Sequence, residues 1–182
     1  MSNITFNFSD VQSGSSVKPS VKPGVHDNVT IGTITSETTP NGKAVIRVPF
    51  SLDNGAELNI DMSMEGNAPQ YTMRKLKHMM TKVVDENVVN SATTLQDINK
   101  ILSGKKLRMK FTGEEYVSQR DGKVYVKTVL GLPNFAEPMT VTSEMSALTY
   151  NPNIEYDLKR VNKATVEANG AKVTDQIDSL PF

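Results

Sequence analysis

The chain has 182 residues, 37% of them hydrophobic, and no cysteine. That suffices for one cored domain with extensions, and it excludes disulfides and thiolate-bound metals. The 20 Lys and Arg balance the 20 Asp and Glu overall, yet residues 22–135 carry 15 basic against 12 acidic side chains, and residues 136–182 carry four against seven. A basic body with an acidic tail suits an anionic ligand, for which the tail can compete. No run of about 18 apolar residues offers a membrane span, and MSNITFNFSD lacks the basic and apolar regions of a secretion signal. A soluble, cytoplasmic protein without membrane partners is the expectation.

Residues 1–24 end in SGSSVKPSVKPG and read as an extended lead-in, with a weak alternation at Ile4, Phe6 and Phe8. Residues 25–136 read as the folded domain. NVTIGTIT is rich in β-branched residues and runs into the turn cluster TTPNGK, so it predicts the first strand. In KAVIRVPFSL the alternation puts Ile46, Val48, Phe50 and Leu52 on one face and Val45 and Arg47 on the other. Pro49 within it marks an edge strand or a bulge. DNG at 53–55 signals a hairpin, and AELNIDMSM returns with Leu58, Ile60 and Met62 on one face.

The period then changes. YTMRKLKHMMTKVV places Met73, Leu76, Met80 and Val83 at helical spacing. TLQDINKILSG predicts a second helix with Leu95, Ile98 and Leu102 on one side and Gly104 as its cap. KKLRMKFTGEEYV predicts a fourth strand, with Leu107, Met109 and Phe111 inward and Lys106, Arg108 and Lys110 outward. The QRDGK turn joins it to VYVKTVLGL, which puts Val124, Val126 and Leu130 on one face and Lys123, Tyr125 and Lys127 on the other. After Pro133 the pattern weakens. Residues 137–174 read as a linker or accessory segment, with DLKRVNKATVEANG as a short helix and 175–182 as an acidic, apolar tip. Three strands, helix, two strands is the order of a five-stranded OB-fold barrel, mainly β, with a helical insertion between strands 3 and 4 and flexible termini.

Enzyme readings fare badly. There is no P-loop, no dinucleotide glycine fingerprint and no nucleophile elbow. Asp53, Asp61, Asp85 and Asp97 sit at turns, strand positions or helix ends, without a cluster that would hold magnesium. His26 beside Asp27 reads as a solvated loop pair and His78 as a surface residue. Catalysis, metal and cofactor are not expected. Lys105, Lys106, Arg108 and Lys110 share one strand, beside Lys123, Tyr125 and Lys127 on its hairpin partner and Arg47 at the margin. Single-stranded nucleic acid needs cations for its phosphates and ring faces for its bases, and this face offers both. Tyr125 is the foremost stacking candidate, followed by Tyr116 and Phe135. Period-2 alternation also makes ordinary lysine-rich sheet surfaces, so the residues alone leave both readings open.

From VKPGVHDNVTIGTI through LSGKKLRMKF to DGKVYVKTVLGLPNF, about residues 21–136, the chain resembles the single-stranded DNA-binding proteins of tailed bacteriophages. The similar features are the P-G-x-H entry to the first strand, the L-x-G-K opening of the fourth and the G-K-x-Y-x-K of the fifth. The tip DQIDSLPF is an apolar end that either packs as a hook or is displayed. It resembles the acidic, Ile-Pro-Phe-ending tail by which bacterial single-stranded DNA-binding proteins recruit partners, with Leu180 in place of Ile and two separated aspartates. The resemblance implies that Phe182 and its carboxylate, with Leu180 and Pro181, enter a pocket on a replication or recombination protein, while Asp175 and Asp178 meet its basic rim. A phage assembly protein using the barrel for protein contacts, a recombination or annealing mediator, and self-association all remain open readings.

A displayed tip contributes nothing to the core. Deleting Asp175–Phe182 is therefore expected to leave the melting temperature unchanged and single-strand affinity equal or slightly tighter. A fall of many degrees in a thermal melt would make the tip part of the core.

Overall fold

The computed structural model describes residues 19–118 and 120–161, so the Ile4–Phe8 alternation and all of Asp175–Phe182 lie outside the described residues. The β-branched and alternating segments form β1 (Gly24–Ile31), β2 (Thr35–Thr38), β3 (Ala44–Ser51) and β4 (Glu57–Ser63). Helices α1 (Ala68–Met80), α2 (Glu86–Ser91) and α3 (Leu95–Leu102) follow. Then come β5 (Lys106–Val117), β6 (Val124–Leu130), β7 (Ala136–Pro138) and β8 (Leu158–Lys159). At the start of α3, Thr94 and Asp97 cap each other's backbone N–H groups.

The main sheet runs β4–β3–β1–β5–β6, antiparallel throughout. Its two ends approach each other. Asp61 on β4 is held below the usual carboxylate range by its hydrogen bond from Arg47 and, less strongly, by the charge of Lys127 on β6. The lead-in fills the gap between those ends: Ser20 bridges to Glu57, and the Val21 carbonyl accepts from Thr128 Oγ1 at 2.9 Å. The sheet is thus curled into a half-barrel. Val29, Val48, Phe50, Met109 and Phe111 fill it, with Leu76, Met79, Ile98 and Leu102 from the helices. Phe50 and Phe111 meet edge-on, centroids 5.5 Å apart.

The single first strand that the sequence predicts is two strands joined by a corner. Ile31 pairs with Phe50 and Thr35 with Arg47, so four residues on this side span three of β3. At the corner Gly32 donates to the Pro49 carbonyl at 2.8 Å, and a Cβ there would lie 3.0 Å from Pro49 Cβ. Pro49, lacking an N–H, sits opposite a bulge in a central strand rather than at an edge. The helices also differ in detail. α1 buries Thr72, Leu76, Met79 and Met80 and leaves Met73 exposed, because it packs against β4, β7 and α3 together.

Of the two readings of this stretch, residues 137–161 are an accessory segment packed on β5 rather than a linker. β7 pairs with β5, a single 3-10 turn occupies Ser143–Met145, and β8 runs parallel to β5 where the sequence predicts helix. Leu158 lies over Gly113, where a Cβ would come within 2.7 Å of Leu158 Cδ1 and 2.9 Å of Val126 Cγ1. Only glycine lets this strap seat so closely. No helix among the described residues is long and apolar enough to cross a membrane.

His78 is not a surface residue either. Its ring lies 4.7 Å from that of Phe135, and its Nε2 is buried without a hydrogen-bond partner. Burial pushes the imidazole below its ordinary value of 6.5, Lys82 adds to this, and the Ala136 backbone opposes it. The unfolded chain therefore binds this proton more readily than the folded one. Stability is expected to fall as pH drops below about 6.5 and to level off below the folded pKa. Urea melts between pH 7.5 and 5 measure that slope, and His78→Gln should flatten it.

Candidate nucleic-acid interface

The alternation along β5 predicts Arg108 and Lys110 in solvent. The structure buries Arg108 and half-buries Lys110 beneath the strap. Arg108 is 4% exposed, and its Nε donates to Asp27 Oδ1. Its Nη1 donates to the carbonyls of Val141 and Thr142 at 2.8 and 3.0 Å, and its Nη2 to Ser143 Oγ at 3.0 Å. Lys110 pairs with the buried carboxylate of Asp157, whose other oxygen accepts from the Asn151 N–H at 2.7 Å. Neither cation faces a place where a phosphate can reach it. Phe135, the third predicted stacking ring, is buried in the core against His78. Its neighbours on the chain form the turn between β6 and β7, and the apolar ring turns inward where the sheet leaves room.

Arg47 is likewise engaged. Its Nε and Nη2 form a bidentate pair with Asp61 at 2.7 and 2.9 Å, and its Nη1 lies 2.5 Å from Glu37. It clamps β2, β3 and β4 together across the ladder. Lys106 pairs with Asp53 at 2.9 Å, and Lys105 lies exposed at the entry to β5. These two lysines stand about ten residues, roughly 33 Å along an extended strand, from Tyr116. His26 and Asp27 do not act as a pair: His26 Nε2 lies 2.8 Å from the Lys22 carbonyl, and Asp27 holds Arg108.

What the structure brings together is Tyr116, Tyr125, Lys123 and Lys127 on the β5–β6 hairpin. Tyr116 pairs with Tyr125 and Glu114 with Lys127, so alternation places both rings and Lys127 on one face. The ring centroids are 6.0 Å apart with planes inclined at 31°, and the residues are 49% and 43% exposed. Tyr125 donates its hydroxyl to Asp121 Oδ2 at 2.7 Å. That bond raises the Tyr125 pKa and lowers that of Asp121, and it fixes the ring's direction. The pair is a pre-set aromatic surface flanked by two exposed lysines. It suits flat, weakly polar rings joined by anions. Among the described residues, no group of three His, Asp or Glu is placed to hold a metal ion.

Of the acids that neutralise Arg108 and Lys110, the sequence reading gave Asp27 to a loop pair with His26 and missed Asp157. Asp27 sits at the register shift within β1 and Asp157 in an irregular segment, and no local pattern ties Asp27 to Arg108, 81 residues away. The sequence matches no protein-family model, and no curated protein matches it.

Arg108→Met separates structural from surface charge. It removes the donor shared by Asp27 and two strap carbonyls, so a loss of about 2–3 kcal/mol is expected in urea denaturation. Affinity for oligo(dT), measured where the variant is folded, should be unchanged. Lys127→Gln should do the reverse.

Proposed function

We propose that this chain binds single-stranded DNA, coating it without strong sequence preference and without catalysis, during replication or recombination of phage DNA in the host cytoplasm. The observation that carries the reading is the exposed Tyr116–Tyr125 pair with Lys123 and Lys127 beside it. Bases stack on such rings whatever their identity, which makes the binding sequence-tolerant. The half-barrel is assigned to the OB type. In support, β4–β3–β1–β5–β6 corresponds to the order 3-2-1-4-5, with β1 and β2 as one long bent strand and the helices between the third and fourth. The segment Asp175–Phe182 is assigned to the capture of replication or recombination proteins.

Because Arg47, Arg108 and Lys110 are held in internal ion pairs, stacking leads and phosphate contacts are few. At a slope of about 0.7 per neutralised phosphate, log K should fall with log salt with a slope between about −1 and −3.

A fluorescence titration with poly(dT) at several salt concentrations tests this. Tyr125→Ala should weaken binding at least about fivefold, with slope and melting temperature unchanged. Failure of the full chain to bind micromolar dT oligomers at low salt would remove the reading.

A further inference from the structure

We propose a second stacking platform for the same strand: Tyr156 on the strap, with Lys159 beside it to meet a phosphate. This deepens the single-strand reading and rests on it. Tyr156 is 85% exposed, yet its neighbours are anchored. Asp157 is buried against Lys110, and Leu158 is seated on Gly113. The turn that carries the ring is closed by Ile154 N–H on the Asn151 carbonyl at 3.0 Å and by Asp157 N–H on the Ile154 carbonyl at 2.9 Å. A large ring held in solvent by a fixed turn loses little entropy when a base covers it.

The ring also stands on the right path. A groove of about 400 Å³ is lined by Thr112, Glu114, Val129, Leu132, Tyr156 and Lys159. Thr112, Glu114 and Val129 belong to the hairpin face that carries Tyr116 and Tyr125. The groove therefore continues that face from the exposed pair down to the strap. Four residues of β5 separate Tyr116 from Thr112, about 13 Å, which is room for about four stacked nucleotides at roughly 3.4 Å each. Glu114 and Glu155 also line the groove. Glu114 stands in register with Lys127 on one side and Lys159 on the other, so a lysine flanks it in each neighbouring strand. Arg160 is exposed next to Lys159.

Binding of an oligo(dT) of about 12 nucleotides to the full chain tests the platform. Tyr156→Ala should weaken it about five- to tenfold without changing the salt slope, Tyr156→Phe should bind as the wild type, and neither should lower the melting temperature. Lys159→Gln should reduce the slope by about 0.7. Irradiation of the wild-type complex with an iododeoxyuridine-substituted oligomer should cross-link the peptide containing Tyr156. If Tyr156→Ala binds as the wild type while Tyr125→Ala does not, or if that peptide stays unlabelled while the hairpin is labelled, the platform is overturned and the single-strand reading stands. If the wild type does not bind at all, both fall.

Discussion

Every other feature of the molecule follows from the enclosure of β5. Between Leu107 and Glu114 it has strands along both edges, β1 then β8 on one side and β7 then β6 on the other. One face, Leu107, Met109 and Phe111, lies in the half-barrel core, and Arg108 and Lys110 on the opposite face lie under the strap. A strand so enclosed must have its backbone groups paired and its polar side chains matched. Arg108 and Lys110 meet that demand through Asp27, Asp157 and the strap carbonyls. Buried ion pairs of this kind add little net stability over apolar replacements, so their effect is chiefly to fix where the strap lies.

The strap then decides which part of β5 stays exposed. Its last described contacts with β5 are β8 opposite Gly113 and Glu114, and Val161 N–H on Glu115. Beyond them the β5–β6 hairpin is bare, and there the two tyrosines are exposed. The basic surplus of residues 22–135 therefore does not translate into a basic face. Arg108 is buried, Lys110 and Arg47 are held by acids, and what the hairpin offers instead is rings with a few lysines beside them. On the proposed single-strand reading, such a surface would bind through stacking, with modest dependence on salt.

Much of the fold was legible in the residues. Alternation in KAVIRVPFSL and AELNIDMSM, the DNG turn and the 3.6-residue period of TLQDINKILSG each report on neighbours a few residues apart, and β3, β4 and α3 lie where those patterns put them. The Tyr116–Tyr125 pair was within reach for the same reason, because a hairpin's register follows from its turn. Met73 and His78 were less accessible, since which flank of α1 meets the core depends on where β7 brings Phe135.

The sequence by itself determined the local periods, the turns, the mainly β order with helices between the third and fourth predicted strands, and the presence of cations at every second position of β5. Tertiary structure alone decided whether those positions face water. Alternation distinguishes two faces of a strand but carries no information about a second layer, and here that layer comes from an irregular segment whose Asp157 and Leu158 find β5 through one ion pair and one glycine. Contacts of that range leave no periodic trace in the chain, so the covering of Arg108 and Lys110, which leaves the exposed rings to the hairpin, follows only from the packed fold.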